Sequence, residues 1–144
     1  MTSGWHGLPV GRRVLLAEDD LALREILATV LSESGYQVGT VSDGSELRRL
    51  LRQAGPEGRF DLIVTDVNMP GGSGLDVIEL LRQNGDTTPV IVVTAFPQAD
   101  IRQRAKDLGL RLLAKPFELE TLRAAVDWAI RVNAPHQRRL SWSQ

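Results

Sequence analysis

The feature that most constrains the fold is a fivefold alternation between short apolar runs and segments with helical periodicity. Several of the runs are almost continuously apolar, which is typical of strands covered on both faces of a parallel sheet. Five strand–helix units with short connections predict an α/β fold, a doubly wound sandwich around a five-stranded parallel sheet with right-handed crossovers. The runs lie at residues 13–17, 36–41, 60–65, 90–94 and 111–114.

Each segment that follows a run carries apolar residues at helical spacing, which predicts one helix per segment. Ser73 is expected to cap the third helix, and Pro97 is expected to lie in the first turn of the fourth. The predicted buried faces are Leu23, Ile26, Leu27, Val30 and Leu31 in the first helix, and Leu119, Leu122, Val126, Ala129 and Ile130 in the last.

The 144 residues are enough for one domain with a single continuous core. We place this domain at residues 12–132, with a flexible N-terminal extension at 1–11 and a C-terminal tail or the start of a linker at 133–144. The formal net charge of -1 gives no reason to expect nucleic-acid or membrane binding by the domain. The absence of cysteine excludes disulfides and thiolate metal sites. The apolar runs are far shorter than the roughly 20 residues of a membrane span, so a cytoplasmic protein is expected.

Polar residues follow four of the five runs, at the point where each predicted strand ends. Because ligands of open α/β sheets bind outside the carboxyl ends of the strands, these side chains should converge at one edge. Close carboxylates repel each other by roughly a few kcal/mol per pair at an effective dielectric constant near 20, so a cation is expected among them. Mg²⁺ fits best, since it takes oxygen ligands and commonly sits between carboxylates and a phosphate. The residues are Glu18, Asp19, Asp20, Asp66, Thr94 and Lys115.

The chemistry expected at this edge is phosphoryl transfer without a nucleotide pocket. No glycine-rich GxxxxGK[ST] or GxGxxG loop occurs in the sequence. A carboxylate such as Asp66 can instead accept a phosphoryl group covalently, while Mg²⁺, Lys115 and the Thr94 hydroxyl neutralise and orient its oxygens. Each residue also has an ordinary explanation: Asp20 as a helix cap, Lys115 as a solvated charge, and Asp66 as part of a turn.

Four stretches make the chain resemble the receiver domain of bacterial two-component response regulators. They are "VLLAEDD", "LIVTDVNMPGGSG", "VIVVTAF" and "LLAKPF", in this order and each at the end of a predicted strand. The resemblance implies a flavodoxin-like (βα)5 sandwich and phosphotransfer to Asp66 from a sensor histidine kinase or a phosphotransfer protein. It also implies slow hydrolysis of the aspartyl phosphate rather than enzymatic turnover, and signalling to a downstream protein partner or an output domain.

The same resemblance implies how the metal would be held. Asp19 and Asp66 would bind Mg²⁺ directly, together with the backbone carbonyl of Asn68. Glu18 would act through water.

Other site residues follow the family with some departures. The resemblance implies that Thr94 is the switch hydroxyl, that Lys115 pairs with the phosphate, and that the bond before Pro116 is cis. Leu112 stands where the family's switch aromatic is usual, and the stretch before the lysine is one residue shorter than usual. Ser73 replaces a familiar acid. We expect the lysine to matter for signalling more than for folding, because exposed ion pairs contribute only about 0–1 kcal/mol.

Two alternative functions stay open from the sequence. A pseudo-receiver would keep the fold and act as a protein-binding module without phosphorylation. A small metal-dependent phosphatase with an aspartate nucleophile is disfavoured because Asn68 occupies the place of its second acid. Helical spacing also directs Trp128 away from the core, where it would anchor a partner or a homodimer through the last helix, or be covered by the tail.

Overall fold

A computed structural model describes residues 11–53 and 59–133, which alternate strictly between strands and helices. The strands are β1 (Arg13–Ala17), β2 (Gln37–Val41), β3 (Leu62–Asp66), β4 (Val90–Thr94) and β5 (Arg111–Ala114). The helices are α1 (Leu21–Glu33), α2 (Gly44–Gln53), α3 (Gly74–Gln83), α4 (Ala99–Asp107) and α5 (Leu119–Val132). Apart from Gly11 and Asn133, the predicted extension and tail lie outside the described residues.

The five strands form one parallel sheet in the order β2-β1-β3-β4-β5, which confirms the predicted doubly wound fold. Alternate residues of each strand face opposite sides of the sheet. Val14 and Leu16 pack in the apolar cluster that includes α1 and α5. Leu15 and Ala17 pack in a second cluster with α2, α3 and α4. Both faces are therefore covered, as the continuous apolar runs predicted.

Helices α1 and α5 bury a narrower stripe of side chains than the sequence pattern predicted. Ile26 in α1 is 48% exposed and Leu119 in α5 is 38% exposed, although both were assigned to the core. Two helices share one face of the sheet, so each covers the strands with only its central stripe. Within the described residues, every helix is too short or too polar to cross a bilayer.

The start of α4 also differs from the prediction. Gln98 is its N-cap, and the carbonyl of Gln98 accepts the first helical hydrogen bond from Arg102. Pro97 therefore precedes the helix instead of lying in its first turn. The backbone carbonyl of Pro97 accepts a bond from the Arg102 side chain at 2.9 Å, which holds the proline outside the helix.

The loop between β3 and α3 is held by α2 on one side and by its own cap on the other. The Gly44 N–H donates to the Pro70 carbonyl at 2.8 Å, and a Cβ at Gly44 would lie 2.3 Å from the Gly72 oxygen. Only glycine permits this approach of α2 to the loop. The Ser73 hydroxyl accepts from the Leu75 N–H, which confirms the predicted cap of α3.

Candidate functional site

Four of the predicted site residues meet at the carboxyl edge of the sheet. The Lys115 ammonium lies 2.9 Å from Glu18 Oε1 and 2.6 Å from Asp66 Oδ2. One carboxylate oxygen from each of Glu18, Asp19 and Asp66 lies within 4.8 Å of the others. The ends of β1, β3 and β5 thus deliver the acids and the lysine to one point, as the sequence predicted.

The acids of this group differ sharply in exposure. Glu18 is 1% exposed and Asp66 is 5% exposed, whereas Asp19 is open to solvent. The Lys115 side chain is 19% exposed. The site is therefore a shallow opening whose floor consists of two buried carboxylates, with Asp19 at its rim.

Both carboxylate oxygens of Asp66 are oriented by neighbours. Oδ2 accepts from Lys115, and Oδ1 accepts from the Asn68 backbone N–H at 3.1 Å. Gly74, the first residue of α3, packs directly against the backbone of Asp66. A Cβ there would stand 2.3 Å from the Asp66 carbonyl oxygen and 2.7 Å from Thr65 Oγ1, so a larger residue would displace the Asp66 backbone.

The electrostatics of the buried floor are set by burial and by the lysine together. Burial raises the pKa of Glu18, and hydrogen bonds from Lys115 and from the Asp20 backbone oppose this rise without cancelling it. Burial opposes the charged form of Lys115, but the hydrogen bonds to Asp66 and Glu18 outweigh it and raise the pKa of the lysine. Lys115 therefore stays charged across the physiological range.

The three carboxylates can hold a metal ion. Among the described residues, they form the one group of acids or histidines close enough for this. With all groups ionised, three carboxylates face a single ammonium, which leaves an excess of negative charge that a divalent cation would balance. Their ligand atoms are oxygens, the donors that hard cations prefer.

Asp20 does not belong to this group. Its Oδ1 accepts from the Leu23 N–H at 3.0 Å, so it is the N-cap of α1. The helix-cap explanation of Asp20 is therefore correct. A neighbouring contact that the sequence did not predict joins Arg24 to the Glu18 carbonyl at 2.7 Å. This bond pins the acidic loop to α1, and no spacing motif indicates it because it depends on the path of the loop.

The other predicted site residues lie nearby without joining the ion-pair cluster. Thr94 is fully buried at the end of β4, where its hydroxyl accepts from the Phe96 N–H at 3.0 Å. Leu112 is half-buried and packs against the apolar cluster beneath α2, α3 and α4. The peptide bond between Lys115 and Pro116 is cis, as the resemblance implied.

Known proteins of one family resemble this chain over most of the described fold. The family model described as "response regulator receiver domain" matches residues 14–127. The transcriptional regulatory protein PdtaR of Mycobacterium tuberculosis is 39% identical over 123 residues, which cover 84% of this chain and 58% of PdtaR. The chain thus spans little more than half the length of that relative.

Solved structures with similar folds include two receiver proteins. The non-phosphorylated receiver domain of HemR from Leptospira biflexa is 32% identical, with a TM-score of 0.75, over 83% of this chain and 94% of that one. The response regulator TrrA from Thermotoga maritima, solved in complex with Mg²⁺–BeF, is 28% identical, with a TM-score of 0.70. That alignment covers 82% of this chain and 98% of TrrA.

The buried ion pairs predict that Lys115→Ala destabilises the metal-free protein. The substitution leaves two buried carboxylates without their counter-charge, so the free energy of unfolding should fall by about 1–3 kcal/mol in urea denaturation. The expectation from sequence, a contribution of about 0–1 kcal/mol, rested on an exposed pair, and the burial of Glu18 and Asp66 removes that basis.

Two further variants test the cause of this loss. Lys106→Ala, at an exposed position of α4, should change the free energy of unfolding by less than about 0.5 kcal/mol. Adding Glu18→Gln to Lys115→Ala should recover part of the loss, because it removes one of the two unpaired charges. If Lys115→Ala and Lys106→Ala were equally stable, the stabilising role of the ion pairs of Lys115 with Glu18 and Asp66 would be contradicted.

Proposed function

Because the chain belongs to the response regulator receiver domain family, we propose that Asp66 accepts a phosphoryl group in the cytoplasm from a sensor histidine kinase or a phosphotransfer protein. The observation that carries this proposal is the contact of Asp66 with Lys115 beside two further acids. An Asp66 carboxylate oxygen would bond to phosphorus as the phosphorus–nitrogen bond of a phosphohistidine breaks. The departing imidazole nitrogen keeps the electron pair of that bond.

Mg²⁺ would be the metal at this site. Asp19, Asp66 and the Asn68 backbone carbonyl would bind it directly, and Glu18 would bind it through water. When bound, the ion would neutralise and orient the phosphoryl oxygens. The excess of carboxylates over lysine supports this, as does the likeness to TrrA, whose structure contains Mg²⁺–BeF.

Lys115 and Thr94 would respond to the arriving charge. A phosphoryl group brings roughly -1.5 to -2 units of charge. The Lys115 ammonium already lies 2.6 Å from Asp66 Oδ2 and so would be close to that charge. The Thr94 hydroxyl accepts from Phe96, and among the described residues it is not seen to donate, so its proton would be available to the phosphoryl group. Movement of Thr94 would therefore shift the loop that leads to α4. With Leu112 in place of the usual aromatic, this loop would carry the signal.

The protein would act as a switch rather than as a turnover enzyme, slowly hydrolysing its own aspartyl phosphate. Asn68 in place of a second acid supports this over the phosphatase alternative. The assembly of Asp66, Lys115 and the acidic pair disfavours a pseudo-receiver that signals without phosphorylation.

Output would pass to a downstream protein partner or an output domain, and α5 is our candidate surface for self-association. Trp128 is 62% exposed, whereas Leu122, Val126 and Ala129 on the opposite side of the helix are buried. A large exposed aromatic on a regular helix face is a suitable anchor for a second copy of the chain.

The phosphoacceptor assignment predicts single-site labelling. Incubation with acetyl phosphate and Mg²⁺ should add one acid-stable, base-labile phosphoryl group, measured by mass spectrometry. Asp66→Asn should abolish the label because the amide is a far weaker nucleophile, and removal of Mg²⁺ should do the same. Asp100→Asn, at an exposed position of α4, should label normally. Label that persists on Asp66→Asn would disprove the assignment, and repeated turnover of a phosphate ester would favour the phosphatase.

The metal assignment predicts different losses for two neighbouring acids. Asp19→Ala should weaken Mg²⁺ binding by about tenfold or more in calorimetric titration, because it removes a ligand. Asp20→Ala should leave Mg²⁺ affinity nearly unchanged and lower the free energy of unfolding by about 1 kcal/mol, because it removes the cap of α1. An equal or greater loss of affinity for Asp20→Ala would place the metal ligand one residue later.

The self-association proposal predicts a specific effect of Trp128→Ala. Dimerisation measured by sedimentation equilibrium with beryllofluoride should weaken by about tenfold or more, because interface tryptophans are frequent hot spots. Stability and labelling of Asp66 should hardly change, since the side chain is exposed. Ile26→Ala, an exposed apolar position on α1, is the matched control. Unchanged association with and without beryllofluoride would make Trp128 a bystander.

A further inference from the structure

A cavity of about 430 Å³ lies between α2 and α3, away from the Asp66 site. Both helices run back along the sheet, so their last turns lie at the edge opposite the carboxyl ends of the strands. Arg59, which lines the cavity, lies shortly before the start of β3 and marks the same edge. The volume falls in the range of roughly 300–1,000 Å³ that is usual for small-molecule sites.

The cavity combines an apolar wall with a concentration of positive charge. Leu51 and Leu80 contribute to the wall, and Leu80 is one of the larger exposed apolar side chains. Arg48, Arg52 and Arg59 contribute the charge. Three like charges around one cavity are costly without a counter-ion, and this accumulation stands out in a chain whose formal net charge is -1.

Among the residues that the structure describes, no carboxylate neutralises these arginines. Within residues 11–53 and 59–133, no ion pair joins Arg48, Arg52 or Arg59 to a carboxylate. Asp86 is the acid that lines the cavity, and its Oδ1 already accepts from the Thr88 N–H and hydroxyl at 2.8 and 2.6 Å. Counting the described lining residues, three arginines thus face one acid, which leaves an excess of positive charge at the cavity.

One of these donors is buried. The Nε of Arg48 is shielded from solvent and has no hydrogen-bond partner among the described residues. Buried donors in folded proteins are almost always paired, and an orphan indicates a missing acceptor. A guanidinium presents Nε–H and Nη–H in a planar fork that matches the two oxygens of a carboxylate or phosphate.

We propose that this cavity binds a small amphiphilic anion, in which a carboxylate or phosphate group is carried on an apolar body. The oxyanion would pair with Arg48 and Arg52, and the apolar body would pack against Leu51 and Leu80. Binding here would not require phosphorylation of Asp66, because no residue that lines the cavity belongs to the cluster of Glu18, Asp19, Asp66 and Lys115.

The test is a titration of the unphosphorylated chain in Mg²⁺-free buffer, followed by amide chemical shifts. The probes are phenyl phosphate, benzoate, phenol and inorganic phosphate. Phenyl phosphate or benzoate should perturb amides in 48–53 and 80–86 and bind about tenfold or more tightly than phenol or inorganic phosphate. The tighter of the two aromatic anions identifies the preferred head group. Equal binding of phenol or inorganic phosphate would overturn the proposal, as would perturbations centred on Glu18, Asp66 and Lys115.

Arginine variants assign the binding to the cavity. Arg48→Gln and Arg52→Gln should each weaken binding of the preferred probe by about tenfold, the usual effect of losing a charge-assisted hydrogen bond. Arg49→Gln is the matched control on the same helix, because Arg49 is exposed and bonds to Gln53. The affinity of this variant for the preferred probe should stay within about twofold of that of the unchanged protein. If Arg48→Gln does not fold, Arg52→Gln decides, since Arg52 is exposed. Unchanged affinity in the folded variants would overturn the proposal.

Discussion

The hydrogen bonds from Lys115 to Glu18 and Asp66 are the interaction on which the functional edge of the sheet depends. They join residues that are 97 and 49 positions apart, so they exist only when β1, β3 and β5 lie in their final order. Two carboxylates at 1% and 5% exposure would be very costly without a counter-charge. The same bonds keep the lysine charged, since they outweigh the effect of its own burial and raise its pKa. The stability of this edge and the proposed phosphoryl transfer would therefore depend on the same three side chains.

This arrangement neutralises only part of the negative charge of the site. One ammonium faces two buried acids and the exposed Asp19, so negative charge remains in excess at the mouth of the site. The burial of Glu18 opposes its charged form and raises its pKa. A divalent cation would relieve the same excess more effectively, because it can contact several oxygens at once. The repulsion among the acids destabilises the metal-free protein, and relief of this repulsion would contribute to metal affinity.

Backbone packing, in addition to the ion pair, holds the proposed phosphoacceptor Asp66 in place. Gly74 approaches the Asp66 peptide so closely that even an alanine Cβ would collide with it. Gly44 makes an equally close approach to Gly72 in the loop that contains Asn68. Two helix starts, α2 and α3, are therefore packed against the segment that follows β3. This close packing restrains the loop that supplies the proposed carbonyl ligand, and it explains why glycine is required at both helix starts.

The sequence by itself determined the fold class and the convergence of Glu18, Asp66 and Lys115, because strand and helix periodicities are local and the carboxyl ends of parallel strands share one edge. It also determined the Ser73 cap, which depends on neighbours in the chain. Only the tertiary structure decided which surface each helix covers, and so it placed Ile26 and Leu119 outside the core. Only the tertiary structure showed that Glu18 is a buried partner of Lys115 and that Asp19 is exposed at the rim, whereas the sequence had already offered the cap role of Asp20. Burial and pairing depend on residues far apart in the chain, and those distances are absent from any local pattern.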